Sequence, residues 1–177
     1  MHFIRPNDTV LDLGAGDQKL KTYLPPSCGY IPVDCISDRP NTFVVDFNRE
    51  FRLPDAKFTV IVAAGFVEYL SDIPNFMAKL SAAAKGTPFY FTYAYTSPGK
   101  KPYSKKPWRT LNHFTSPAQI EAVFTPYVAY LRQVARLKNQ TLFSGVLGTD
   151  NASSGIVPPL VNDLVYVKRP LSLKLLR

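Results

Sequence analysis

Val10-Leu11-Asp12-Leu13-Gly14-Ala15-Gly16-Asp17 is an apolar run that breaks into two closely spaced glycines beside two acids. Starting from Thr9, the run reads as a buried strand and the glycines as the turn that ends it. Two glycines there let the backbone pass close to a ligand with no Cβ in the way. Many tight turns contain a Gly-x-Gly, so the setting has to decide. Asp34 ends a second β-type run at 30–33, twenty-two positions after Asp12, where a carboxylate can accept both hydroxyls of a ribose. Asp46 ends a third run at 42–45. Three acids at the carboxyl ends of three successive strands face one crevice, where open α/β sheets bind their ligands.

Outward from this stretch, β-type runs alternate with helix-type segments, the pattern of a parallel α/β sheet. Residues 17–24 read as a short helix stopped by Pro25-Pro26. Residues 58–64 are continuously apolar, as a central strand buried on both faces should be. Asp72 and Pro74 mark the start of a helix over 75–85, and Gly86 its stop. A fifth strand spans 87–95, a Pro/Lys-rich loop 97–112, a helix opened by Ser116-Pro117 runs to Phe124, and a sixth strand spans 127–137. Residues 140–147 and 164–168 both qualify as a seventh strand, and the first is preferred. The expectation is a Rossmann-like α/β domain with a seven-stranded, mostly parallel sheet whose last strand is antiparallel. Residues 1–147 make the domain and 148–177 an appendage to it.

A chain of 177 residues, 46% hydrophobic and 19% charged, is long enough and apolar enough to close one core. Its charge is unevenly placed. Residues 1–88 carry nine Lys/Arg and ten Asp/Glu, a net of −1, while residues 89–177 carry twelve and three, a net of +9. The second half therefore suits an acidic substrate, or presents a solvated basic face. Cys28 and Cys35 make no disulfide framework, which points to a reducing, cytoplasmic setting. The longest apolar run, 58–66, is far short of a membrane span, and the first residues hold no stretch suited to a signal peptide.

The acids also choose among nucleotides. A dinucleotide fingerprint wants a third glycine at position 19, where Lys19 stands, and a diphosphate against the helix N-terminus. Asp12 and Asp17 would repel that diphosphate. A ligand with ribose and adenine but a cationic amino-acid end fits better, which describes S-adenosylmethionine (SAM). Here the sequence resembles the class I SAM-dependent methyltransferase family, through VLDLGAGD (10–17), YIPVDC (30–35), VVDFN (44–48), VIVAAGFVEYL (60–70) and NHFTSPAQIEAVF (112–124). The resemblance spans roughly residues 8–137. It implies that Asp12 and the Gly14-Ala15-Gly16 loop hold the methionine portion of SAM and Asp34 the ribose. Asp46 would accept from the adenine amino group beside the Phe47 backbone, and Ala64 and Gly65 would offer backbone atoms near the cofactor amino group. The pattern departs at Gln18, where family members usually carry glycine, and at Thr59, where an acid often stands.

Methyl transfer from a sulfonium is an in-line displacement, so alignment alone can supply on the order of 7–11 kcal/mol. A base helps where the acceptor must lose a proton. His113, in the loop after the fifth strand, and Glu68, after the fourth, are the candidates; a loop-ordering His and a solvated Glu are the bland readings. Lys105, Lys106, Trp108 and Arg109 interleave charge with an aromatic, a pattern that can grip an anionic acceptor. Two histidines and two scattered cysteines give no metal-ligand spacing. The resulting expectation is a SAM-dependent methyltransferase acting by O- or N-methylation on a small or carrier-linked, anionic acceptor. The rival is a catalytically degenerate subunit that binds SAM or its product S-adenosylhomocysteine (SAH), which Thr59 and the short stretch before the first strand favour. A homodimer is a further arrangement. A nucleic-acid methyltransferase and an NAD-dependent oxidoreductase rank below both.

Overall fold

The structure, a computed structural model, describes residues 4–37, 39–95, 114–136 and 140–148. Seven strands form one sheet: β1 (Thr9–Leu13), β2 (Gly29–Asp34), β3 (Phe43–Val44), β4 (Val60–Ala63), β5 (Pro88–Ala94), β6 (Val128–Arg136) and β7 (Gln140–Leu147). Their order across the sheet is β3-β2-β1-β4-β5-β7-β6. β1 to β5 run parallel, and β7 is antiparallel to both of its neighbours, β5 and β6. This is the architecture expected from the sequence. From β1 the chain winds outward to β3, then returns to lay β4 on the other side of β1. That reversal opens a crevice above the carboxyl ends of β1 and β4.

The central strands are apolar throughout because both of their faces are covered. One face sets Leu11, Leu13, Ile61, Ala63, Phe89, Phe91 and Tyr93 against helices α1 (Ile73–Ala83) and α2 (Pro117–Phe124). Phe91 stacks on Phe124 at 4.5 Å and on Phe143 at 4.9 Å between ring centroids. α1 presents Phe76, Met77 and Leu80 inward, each worth roughly 1.5–3 kcal/mol of burial. Its start is fixed by the Asp72 carboxylate, which accepts from the Asn75 N–H at 3.0 Å. The other face gathers Ile4, Val10, Leu20, Val60 and Val62.

The helix expected over 17–24 is instead a single 3-10 turn, Lys19–Tyr23. Gln18 sits in the left-handed region (φ 58) on one side and Pro25-Pro26 stand on the other, leaving too few residues for a stable α-helix. α1 begins two residues before the expected start, since a proline is tolerated in a first turn. The fourth strand is shorter than 58–64 because the Thr59 side chain is diverted. Its hydroxyl accepts from the Thr9 N–H at 3.0 Å and donates to Asp8 Oδ1 at 2.8 Å. Of the two candidates for a seventh strand, 140–147 forms it; 164–168 lies outside the described residues. Gly148 closes the strand's end by donating to the Tyr127 carbonyl at 3.0 Å.

Candidate functional site

Three adjacent strands deliver Asp12, Asp34 and Asp46 to one edge of the sheet. Asp34 acts electrostatically on Asp12, and Asp34 and Asp46 both act on the Cys35 thiol between them, which burial and these two carboxylates push up. Asp34 and Asp46 therefore form one negative rim, with Asp12 buried behind it. Each is held differently. Asp12 is 3% exposed and accepts from the Tyr30 hydroxyl at 2.5 Å. Burial pushes its carboxyl from 3.8 up to about 7; the Tyr30 bond opposes the rise and Asp34 adds to it. Asp34 accepts from the Gly16 N–H at 2.8 Å and the Ile36 N–H at 3.3 Å, which ties it to the glycine loop. Asp46 accepts from the Asn48 N–H at 3.0 Å and faces the Arg49 guanidinium at 3.4 Å. Asp17 stays at the exposed margin, paired with Arg39 at 3.4 Å and Lys19 at 3.9 Å.

The glycine loop is locked from beneath, because the Gly14 and Ala15 N–H groups both donate to the Val33 carbonyl, at 2.9 and 3.0 Å. Gly14 (φ +74) faces the Phe66 ring, and a Cβ there would come within 2.9 Å of the Phe66 Cβ. Gly16 (φ +49) and Gly65 (φ +65) face open space, with nothing within 4 Å of an added Cβ. Gly65 follows Ala64 at the end of β4, and its N–H is held by the Thr92 hydroxyl at 2.9 Å. Two strand ends thus offer bare backbone, with acids alongside.

Gln18, where the family pattern has glycine, takes the left-handed conformation anyway. Its side-chain amide stabilises it by donating to the Pro40 carbonyl at 3.1 Å and the Thr42 hydroxyl at 2.9 Å. Thr59, the other departure, lies at the amino end of β4, the end of the sheet away from the crevice.

Glu68 is not the solvated turn residue of the bland reading. It is 3% exposed, in a 3-10 turn, Val67–Tyr69, that follows β4. Its Oε1 accepts from the Ala94 N–H at the end of β5 at 2.7 Å, while Oε2 has no protein partner. Burial pushes its carboxyl from 4.5 up to about 7, against two backbone hydrogen bonds that pull it down. Phe47 turns its ring into a cluster with Phe51, Phe66 and Phe76, at centroid distances of 5.2–5.7 Å, which leaves its backbone at the rim. His113, Lys105, Lys106, Trp108 and Arg109 lie outside the described residues.

Several contributors were not legible in sequence. Phe66 seals the glycine loop, Tyr30 caps Asp12, and Thr92 anchors Gly65. Asn48 accepts from the Ser71 N–H at 2.6 Å and the Ser71 hydroxyl at 2.9 Å, and donates to the Tyr69 carbonyl at 2.9 Å. An Asn two residues past a strand-ending Asp was the only hint. Among the described residues, no group of His, Cys, Asp and Glu is placed to hold a metal ion, and no helix is long and apolar enough to cross a membrane.

No model of a known protein family and no curated protein matches the chain. Solved structures do. The chain is similar in fold to DhpI in complex with SAH (14% identity, 80% of this chain and 78% of that one, TM-score 0.61). It is similar to a chain of the complex between the Haloferax volcanii Trm112 methyltransferase activator and a methyltransferase (15% identity, 85% and 86% covered, TM-score 0.58). It is also similar to human N-acetylserotonin methyltransferase in complex with SAM (13% identity, TM-score 0.58), where 80% of this chain matches 48% of that one. The fold is that of the class I SAM-dependent methyltransferases, as the sequence pattern implied.

Proposed function

We propose that the crevice binds S-adenosylmethionine and that the chain is a methyltransferase. One observation carries this reading. Bare backbone at Gly16 and Gly65 fronts open space, and Asp12, Asp34 and Asp46 flank it. Any side chain at either glycine would fill the place a cofactor needs. The carboxylates suit a ligand with a cationic end and two ribose hydroxyls, and disfavour a diphosphate. Asp12 would meet the amino-acid end of SAM beside the 14–16 loop, Asp34 the ribose, and Asp46 with the Phe47 backbone the adenine. The Ala64 and Gly65 backbone would complete the cradle. SAM supplies an electrophilic methyl group on its sulfonium. The chain supplies alignment and a proton acceptor, for which Glu68, half ionised near neutrality, is well suited.

The acceptor in this reading is small or carrier-linked and anionic, and is methylated on oxygen or nitrogen. The net of +9 in residues 89–177 supports it, with Lys105, Lys106, Trp108 and Arg109 as the gripping residues and His113 as a second proton acceptor. The two cysteines are free thiols, in keeping with a reducing, cytoplasmic setting. A partner protein fits this reading, since one fold neighbour comes from a complex of a methyltransferase with an activator; the second reading is a SAM- or SAH-binding partner subunit without turnover.

The deciding experiment is thermal unfolding with SAH and, separately, with NAD, each well above its dissociation constant. SAH should raise the midpoint by RT ln(1 + [L]/Kd) and NAD should leave it unmoved. No shift with SAH, or an equal shift with NAD, would refute the proposal. Turnover of SAM against a panel of anionic alcohols and amines then separates the enzyme from the binding subunit.

A further inference from the structure

Three side-chain contacts pass from one side of β2 to the other. The sheet places β2 between β1 and β3, and the glycine loop after β1 is joined to the segment that leads into β3. Asp17 Oδ1 meets the Arg39 guanidinium at 3.4 Å. The Gln18 side-chain amide donates to the Pro40 carbonyl at 3.1 Å and to the Thr42 hydroxyl at 2.9 Å, one acceptor for each of its two protons. The far end is braced in turn, because the Ser37 hydroxyl donates to Thr42 Oγ1 and accepts from the Arg39 N–H, both at 2.9 Å. Asp34 ends the strand between them, and its Oδ2 accepts from the Gly16 N–H, two residues before Gln18. An exposed pair such as Asp17–Arg39 contributes little. The strap is therefore the Gln18 amide. The backbone gives no reason for a glutamine here, since its left-handed φ of 58 suits glycine better.

We infer that Gln18 is a positioning residue for the cofactor: its strap fixes the glycine loop against the end of β2 and so holds the Asp34 carboxylate where the ribose hydroxyls arrive. The inference rests on the SAM-binding reading and adds a residue to it. A carboxylate has about four lone-pair sites. The Gly16 and Ile36 N–H groups occupy two on Asp34, which leaves one for each ribose hydroxyl. With the strap in place the loop and the carboxylate are set before the ligand comes, and binding loses less to ordering them.

Calorimetry on the full chain compares SAH with 2′-deoxy-SAH, which lacks one ribose hydroxyl. The wild type should bind the deoxy compound about tenfold more weakly, the loss of one hydrogen bond to a carboxylate. Gln18→Gly keeps the turn and removes the strap. It should weaken SAH about tenfold and shrink the deoxy penalty to about twofold. Thr42→Val cuts the other end; it should move both values the same way and add little when combined with Gln18→Gly. Without ligand, hydrogen exchange at the Gly16 amide should quicken about tenfold in Gln18→Gly. A wild type indifferent to the missing hydroxyl would overturn the inference. So would a Gln18→Gly variant that binds SAH unchanged, weakens both ligands equally or leaves Gly16 exchange as it was. A wild type that binds neither ligand would overturn the cofactor reading, and Gly16 exchange would still decide whether the strap holds the loop.

Discussion

Gly14 and Gly16 share the left-handed backbone but answer to different constraints. At Gly14 the Phe66 side chain leaves no room for a methyl group, so Gly14→Ala combines backbone strain with overpacking. It should cost about 2–4 kcal/mol in urea-induced unfolding. Gly16→Ala meets only open space and should cost about 1 kcal/mol. Its methyl group would stand where the proposed cofactor lies, so SAH affinity should fall by at least about tenfold, read by calorimetry. Equal effects of the two substitutions on stability and binding would contradict the geometry. Asp12 has a different signature. Its carboxyl titrates near 3.8 when unfolded and about 7 when folded, so between these values the native state holds a proton that the unfolded state has lost. Stability must then fall as pH rises from about 4 to about 7, and the similarly buried Glu68 adds to the slope. Without ligand the protein should melt higher at pH 5 than at pH 8, and Asp12→Asn should flatten that dependence. An ammonium group of the ligand beside Asp12 favours the carboxylate, so SAH binding near pH 6 should release protons and tighten toward pH 7. Calorimetry in two buffers of different ionisation enthalpy measures that release.

At the scale of elements, the crevice depends on loops that hold one another across strands. Asn48 joins the turn after β3 to the segment after β4 through three hydrogen bonds. Asn48→Ala should cost about 1–3 kcal/mol and weaken SAH, because Asp46 and Gly65 lie on the two loops it joins. Unchanged SAH affinity in a destabilised variant would show that the two loops keep their spacing without it. The same network marks how far sequence could reach. Strands announced themselves because each is a short apolar run whose period is local, and the acids that end them are adjacent in sequence to those runs. The helix expected over 17–24 shrank to a 3-10 turn because Gln18 holds a left-handed φ through partners at Pro40 and Thr42 that no local pattern displays. The glycine turn and the acids beside it were likewise legible at Asp12, Gly14, Gly16, Asp34 and Asp46. The burial of Glu68, the Phe66 seal and the Tyr30–Asp12 bond were not, since each is made by residues eighteen or more positions apart or by packing alone.

At the scale of the whole molecule, charge and chemistry are divided between the two halves of the chain. The half that builds the carboxylate rim, 1–88, is nearly neutral at −1, and the half that begins within β5, 89–177, carries +9. A ligand whose one end is a neutral hydroxyl and whose other end is an anion would use both. 4-Hydroxyphenyl phosphate is such a molecule, and phenol is the same molecule without the anion. At low salt the phosphate should bind about tenfold more tightly than phenol if basic side chains reach its anionic end. Between 0.1 M and 1 M salt the screening length falls from about 10 Å to about 3 Å, so that advantage should largely vanish. SAH, if it is held through hydrogen bonds in the neutral half as proposed, should change less than about twofold over the same range. An advantage for the phosphate that persists in 1 M salt would mean a buried, paired anion site and not a diffuse basic face. No advantage at low salt would separate the two halves functionally, and the anionic-acceptor reading would fall while the cofactor reading stood.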